Sequence, residues 1–127
     1  MINITADQGG VIIPRSLLQS MFWVGLKPAY RLALFEILCH AVTEEKLYFR
    51  CGEWRSLYPG QVLMKSEHGI GDLTPRQTRA FLEKLKAEGI ITFETWKGGE
   101  GGGGTVVTVL NWLLYSDHSL YERESKS

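Results

Sequence analysis

An α+β fold is predicted for this chain of 127 residues, and the stretch from Leu73 to Leu110 carries the prediction. A helix with well-marked ends, Thr74 to Gly89, is followed by a β-rich run from Ile90 to Lys97. A loop of six glycines and one glutamate, Gly98–Gly104, comes next, and a second β-rich run, Thr105 to Leu110, closes the pattern. Helix, strand, glycine turn and strand in this order outline a winged helix-turn-helix. It would have a helical N-terminal half, a recognition helix at about Pro75 to Glu88, and a C-terminal β-hairpin wing from Ile90 to Leu110. Folds of this outline most often bind DNA.

Residues 1–10 read as a lead-in with a Gly-Gly break, 11–115 as the domain, and 116–127 as a polar tail in which Leu120 and Tyr121 can dock a last turn. Pro14 to about Val24 reads as one short amphipathic helix with Leu17, Leu18 and Met21 inward. Gly25-Leu26-Lys27 breaks it. Pro28 then opens a helix to about Val42 that is apolar nearly all round, interrupted by Arg31, Glu36 and His40. Such a helix belongs at the centre of a core. Lys46–Cys51 reads as a strand, Gly52–Tyr58 as a loop, and Pro59-Gly60 as a turn. Gln61–Lys65 is a second short strand, placed to pair with the wing strands. Ser66 to Thr74 should hold the first helix of the helix-turn-helix, with Ser66 as N-cap. Gly69 and Gly71 limit it to about one turn.

The helix that follows has the clearest ends in the chain. Thr74 and Gln77 have the spacing of a capping box, Pro75 falls where its missing N–H costs nothing, and Gly89 supplies a left-handed stop with Ile90 folding back on Leu85. Thr78, Phe81, Leu82 and Leu85 share one face. Arg76, Gln77, Arg79, Ala80, Glu83, Lys84 and Lys86 lie mostly on the other. The bland reading of Gly98–Gly104 is a loose hairpin tip. The sharper one is a wing tip that approaches a phosphate backbone closely. A phosphate-binding P-loop is excluded, because no Gly-Lys-Ser/Thr follows and the loop leads into a strand.

Fourteen basic and fourteen acidic residues cancel, so total charge gives no support for nucleic-acid binding. Between Thr74 and Lys97 five cations face three carboxylates, a local net of +2 that equally fits a solvated helix face. Two cysteines make no disulfide framework, and Cys39 in its apolar helix reads as a buried small hydrophobe. Cys39, His40, Cys51, His68 and His118 lack the paired spacing of a zinc site, so no metal and no cofactor are expected. No signal peptide is recognisable and Ala29–Val42 is too short to span a membrane, so a cytoplasmic protein without membrane contact is expected. His40 and His68 have no identifiable catalytic partner, and an enzyme is not expected.

One resemblance adds to this. Tyr58-Pro59-Gly60-Gln61-Val62, Ser66, Thr74-Pro75-Arg76-Gln77-Thr78-Arg79, Leu82 to Leu85, Glu88-Gly89-Ile90, and Thr108-Val109-Leu110-Asn111-Trp112 with Tyr115 follow one another in a familiar order. The run resembles the N-terminal winged-helix domain of phage and prophage replication-initiation proteins, including the DnaD-like primosome type. Those domains carry a Pro-Gly-Gln turn before the helix-turn-helix and an Asn-Tyr-like ending after the wing. The likeness covers roughly Val11 to Tyr115, with Arg15-Ser16-Leu17-Leu18 resembling the family's opening. It implies a DNA-associated module of a replication protein, either standing alone or as a fragment, since such proteins usually continue into a second domain.

Carried onto this chain, a recognition helix would present Arg76, Gln77 and Ala80 to base edges, where Arg suits guanine and Gln adenine. Arg79, Lys84 and Lys97 would meet phosphates, which position without specifying. Against this, cations on an exposed helix are commonly only solubilising, and Gln77 is already needed as a cap. Duplex DNA is expected ahead of single strands. Trp54 and Tyr58 are the residues that would stack on single-stranded bases or bury in a partner, if they are not packed beneath their own loop. Two other readings share the outline: an assembly module binding replisome proteins or itself, which the neutral charge favours, and a winged-helix transcription regulator.

Overall fold

A computed structural model describes residues 10–50, 53–65, 69–96 and 104–121. Lys97, Gly98–Gly103, Cys51, Ser66 and His68, the first nine residues and the last six lie outside the described residues. The described residues form an α+β fold with two antiparallel sheets. In order it runs α1 (Arg15–Leu18), α2 (Met21–Val24), α3 (Pro28–His40), β1 (Lys46–Arg50), β2 (Glu53–Leu57), β3 (Gln61–Lys65), α4 (Pro75–Ala87), β4 (Ile91–Trp96), β5 (Gly104–Val109) and α5 (Leu113–Ser116).

β1 and β2 form a two-stranded hairpin, while the other three strands form a sheet in the order β3-β5-β4. Gln61 pairs with Thr108 on one side of β5, and Thr92 pairs with the same Thr108 on the other. Alternation along the strands divides the side chains between two cores. Val62, Val107, Val109 and Ile91 face inward and join Leu34, Ile37 and Leu38 of α3 and Phe81, Leu82 and Leu85 of α4 in the main core. Val106 and Leu63 face the opposite way, where a small second core forms with Val42, Leu57 and Tyr48. The hairpin therefore covers part of the outer face of the three-stranded sheet, and Arg55 of β2 makes an ion pair there with Glu94 of β4.

The segment read as a loop, Gly52–Tyr58, is a strand over Glu53–Leu57. Its alternation is carried by Arg55 and Leu57 on the face that meets the sheet, a mixed polar and apolar pattern that does not read as a half-buried strand. The segment read as one helix, Pro14–Val24, is two. Ser20 breaks it: its hydroxyl donates to the Leu17 carbonyl at 2.6 Å and accepts from the Trp23 N–H at 3.2 Å, so the chain turns and α2 begins afresh. The turn rotates Trp23 into the core and leaves Leu18 and Met21, expected inside, on the surface, with Met21 87 % exposed. Cys39 is also exposed, because Ala33, Leu34, Ile37 and Leu38 supply the buried side of α3.

Before α4, residues 69–74 form a turn where a helix was expected. Gly71 is left-handed (φ +55°), and a Cβ on Gly69 would run into the Leu73 carbonyl. Both glycines are used by the turn, which explains why they weaken a helical reading. Ile70 and Leu73 are buried, and the Ile70 N–H donates to the Thr78 hydroxyl at 3.0 Å, which ties the turn to α4.

Candidate nucleic-acid interface

The ends of α4 form as their residues demand. The Gln77 N–H donates to Thr74 Oγ1 at 3.1 Å and the Thr74 N–H donates to Gln77 Oε1 at 3.0 Å, completing the capping box. At the far end Gly89 is left-handed (φ +76°), the Ile90 N–H reaches the Leu85 carbonyl at 3.0 Å, and the Gly89 N–H reaches that of Lys86 at 3.0 Å. This is the Schellman stop. Thr78, Phe81, Leu82 and Leu85 are buried.

With 3.6 residues per turn, the line directly opposite this buried face runs through Arg76, Ala80, Glu83 and Ala87. All four are exposed. Arg76 and Ala80 thus form the crest of the helix, as the sequence placed them, but Glu83 shares the crest with them. Gln77 is exposed beside Arg76, with its carbonyl oxygen held by the cap.

The remaining cations part to the two flanks. On the sheet side, the Arg79 guanidinium lies 5.5 Å from the centre of the Phe93 ring, and Lys86 Nζ lies 5.5 Å from the same ring. On the other side, Lys84 Nζ lies 5.7 Å from the ring of Phe22 in α2. Each contact at such an exposed position stabilises by about 0.5–1 kcal/mol, enough to bias a long side chain without removing its charge from water. Arg79 also approaches Glu83 (Nε–Oε1 4.0 Å), with both side chains more than half exposed, a pair that contributes little. Lys86 was not among the sequence-derived site residues. Its signal was available, because it lies seven residues after Arg79 and so on the same flank. Lys97 lies outside the described residues.

Gln61 of the Pro-Gly-Gln turn has a structural task. Its Oε1 accepts from the Tyr58 N–H at 2.9 Å and its Nε2 donates to Thr108 Oγ1 at 3.0 Å, joining turn to sheet. Gly60, with φ +88°, closes that turn. Trp112 and Tyr115 anchor the C-terminal end, Tyr115 being buried and Trp112 packed against the core. Burial, and then the neighbouring Tyr121, raise the Tyr115 hydroxyl above its ordinary pKa of 10.0. Trp54 and Tyr58 are exposed, at 65 % and 55 %.

Among the described residues no three His, Cys, Asp or Glu side chains gather as a metal site, and no helix is long and apolar enough to cross a membrane. No protein-family profile matches the chain significantly, and neither does any curated protein or solved structure.

Proposed function

We propose that this chain is the DNA-binding winged-helix module of a phage or prophage replication protein, with α4 as the helix that enters the major groove and β4–β5 as the wing. The observation that carries the reading is the placement of α4. It leads through a tight glycine stop into a sheet ordered β3-β5-β4, and its outer face from Arg76 to Ala87 is exposed along its whole length. Strand, helix and hairpin so arranged present one helix for insertion into a groove. Arg76 and Ala80 would face base edges, with Arg79 and Lys84 toward phosphates. Gln77 reads bases only through its amide nitrogen, since its oxygen serves the cap. The replication assignment rests on the sequence resemblance alone; two segments of that resemblance, the Pro-Gly-Gln turn and the Asn-Trp ending, pack on each other through Gly60 and Trp112.

A second reading has its own observation. Leu47 and Trp54 share the face of the β1–β2 hairpin turned away from the sheet, and both are more than 60 % exposed. That surface suits an assembly module whose partner is protein. Titration against duplex and single-stranded DNA at two salt concentrations separates the readings. A duplex affinity that falls steeply with salt supports DNA binding. No measurable DNA affinity, together with concentration-dependent oligomers, supports assembly.

A further inference from the structure

We propose that α4 grips duplex DNA on both sides at once, with Arg79 and Lys86 meeting one sugar-phosphate strand and Lys84 the other. The inference deepens the DNA-binding reading and rests on it. Its basis is the seating of three cations on two different rings. Phe93 belongs to β4 and is half-buried at the edge of the main core, and it carries both Arg79 and Lys86. Phe22 belongs to α2, is half-buried on the opposite side of α4, and carries Lys84. The rings hold the three side chains out to the flanks and away from the crest, so they frame Arg76 and Ala80 without competing for the same space.

The dimensions suit this arrangement. A helix with its side chains is about 10–12 Å across and the major groove is about 12 Å wide, so a helix lying in the groove has a phosphate strand along each flank. A cation on one flank reaches one strand only. Lys84 and Lys86 have no carboxylate at ion-pair distance among the described residues, so both charges are available. Arg79 and Lys86 stand on the same flank, and Arg79 also lies 4.0 Å from Glu83 in a weak, exposed pair.

The test compares the full chain with Lys84→Ala and Lys86→Ala on two duplexes of unrelated sequence. The dependence of log affinity on log salt is measured, and phosphate-ethylation interference is read on each strand. Each variant should reduce the magnitude of the salt slope by about 0.9, the share of one released phosphate contact, and by the same amount on both duplexes. The interference pattern should weaken on one strand for Lys84→Ala and on the opposite strand for Lys86→Ala. Lys84→Gln and Lys86→Gln, which keep an amphipathic stem over the ring, should reproduce both results and guard against a folding defect. If the parent binds with a salt-dependent affinity but Lys86→Ala leaves the slope unchanged, or both variants act on the same strand, the two-sided grip is overturned while DNA binding stands. A parent with no duplex affinity overturns both.

Discussion

Gly60 lies against the indole of Trp112: a Cβ built on Gly60 would sit 2.9 Å from Trp112 Cγ and 3.0 Å from its Cβ. The backbone there is also left-handed, at φ +88°. Two independent constraints therefore require glycine, one from backbone geometry and one from the close approach of a ring. Around it, the Gly60 N–H donates to the Val42 carbonyl and the Val109 N–H donates to the Gly60 carbonyl, so the turn joins the end of α3 to β5. Gly60→Ala should destabilise the protein by about 2–4 kcal/mol, combining a left-handed side chain with an overpacked contact. In a Trp112→Ala background the same change should cost only the backbone share, about 1–2 kcal/mol. Urea denaturation of the four proteins checks this, and an equal cost in both backgrounds would remove the indole from the explanation.

Gln77 offers a way to separate folding from binding at a single position. Glutamate also serves at this place in a capping box, and a negative charge in the first turn is favourable to the helix. Gln77→Glu should leave stability unchanged or raise it by about 0.3–1 kcal/mol. Beside Arg76, however, the new carboxylate would face DNA, and duplex affinity at low salt should fall several-fold. Unchanged affinity in a stable Gln77→Glu protein would mean that the start of α4 does not approach DNA.

The helix at the centre of this argument was legible because each of its ends is specified by local chemistry. Thr74, Pro75, Gln77, Gly89 and Ile90 all act within a few residues of themselves, and all behave as their types require. Strand β3 and its pairing with β5 were legible for a similar reason: a turn signal at Pro59-Gly60 and an apolar run follow each other directly. What escaped depends on distant partners. β2 became a strand because Leu57 and Arg55 find Val106 and Glu94 across the sheet, and nothing within Gly52–Tyr58 announces those partners. The exposure of Met21 depends on one hydroxyl, that of Ser20, whose capping bonds interrupt a pattern that otherwise continues smoothly through it. The candidate surface was legible as a helix face, but its division between the Phe93 and Phe22 flanks was not. Those rings belong to other elements.

Among the described contacts, a small core and the part-exposed Arg55–Glu94 ion pair, with side chains 31 % and 60 % exposed, tie the β1–β2 hairpin to the outer sheet face. The core should dominate. Leu57→Ala is expected to cost about 2–5 kcal/mol, whereas Glu94→Gln should cost about 1 kcal/mol or less, because an exposed pair is well solvated when broken. Hydrogen exchange on Leu57→Ala should show protection lost first at β1 and β2, with α4 and β4–β5 still protected. Equal loss across the whole chain would mean that the hairpin folds as one unit with the main core.

The Tyr115 hydroxyl sets an alkaline limit on stability. Its folded pKa is raised above the unfolded value of 10.0 by burial, with Tyr121 adding to the shift. Folding therefore holds the proton more tightly, and the associated stability is fully present below the unfolded pKa. It is lost as pH rises above 10 and through the folded pKa. Stability measured by denaturation should fall above this point in the parent, and Tyr115→Phe should remove part of that slope while leaving the neutral range flat. A Tyr115→Phe protein with the parent's full alkaline slope would place the titrating group elsewhere.

The crest of α4 carries one residue that opposes its proposed role, and its removal gives the most direct reading of which way α4 faces. Glu83 lies one turn beyond Ala80 and two beyond Arg76 on the line opposite the buried face, and it approaches Arg79 at 4.0 Å. In a helix lying in the major groove its carboxylate would sit between two phosphate strands, where repulsion is unscreened over less than a Debye length of about 8–10 Å. Glu83→Gln should therefore tighten duplex binding, by about three-fold for roughly 0.7 kcal/mol of relieved repulsion at near-physiological salt. It also frees Arg79 from its weak partner, which acts in the same direction. Arg76→Ala with Arg79→Ala should do the opposite, weakening duplex binding while leaving thermal stability nearly intact, since both side chains are exposed. The opposed signs matter more than either magnitude. A loosened fold would weaken binding in every variant, and a helix turned away from DNA would leave all of them unchanged. An exposed face of α4 turned to the duplex, crest and sheet-side flank together, makes the loss of a carboxylate and the loss of two guanidinium groups move affinity in contrary directions.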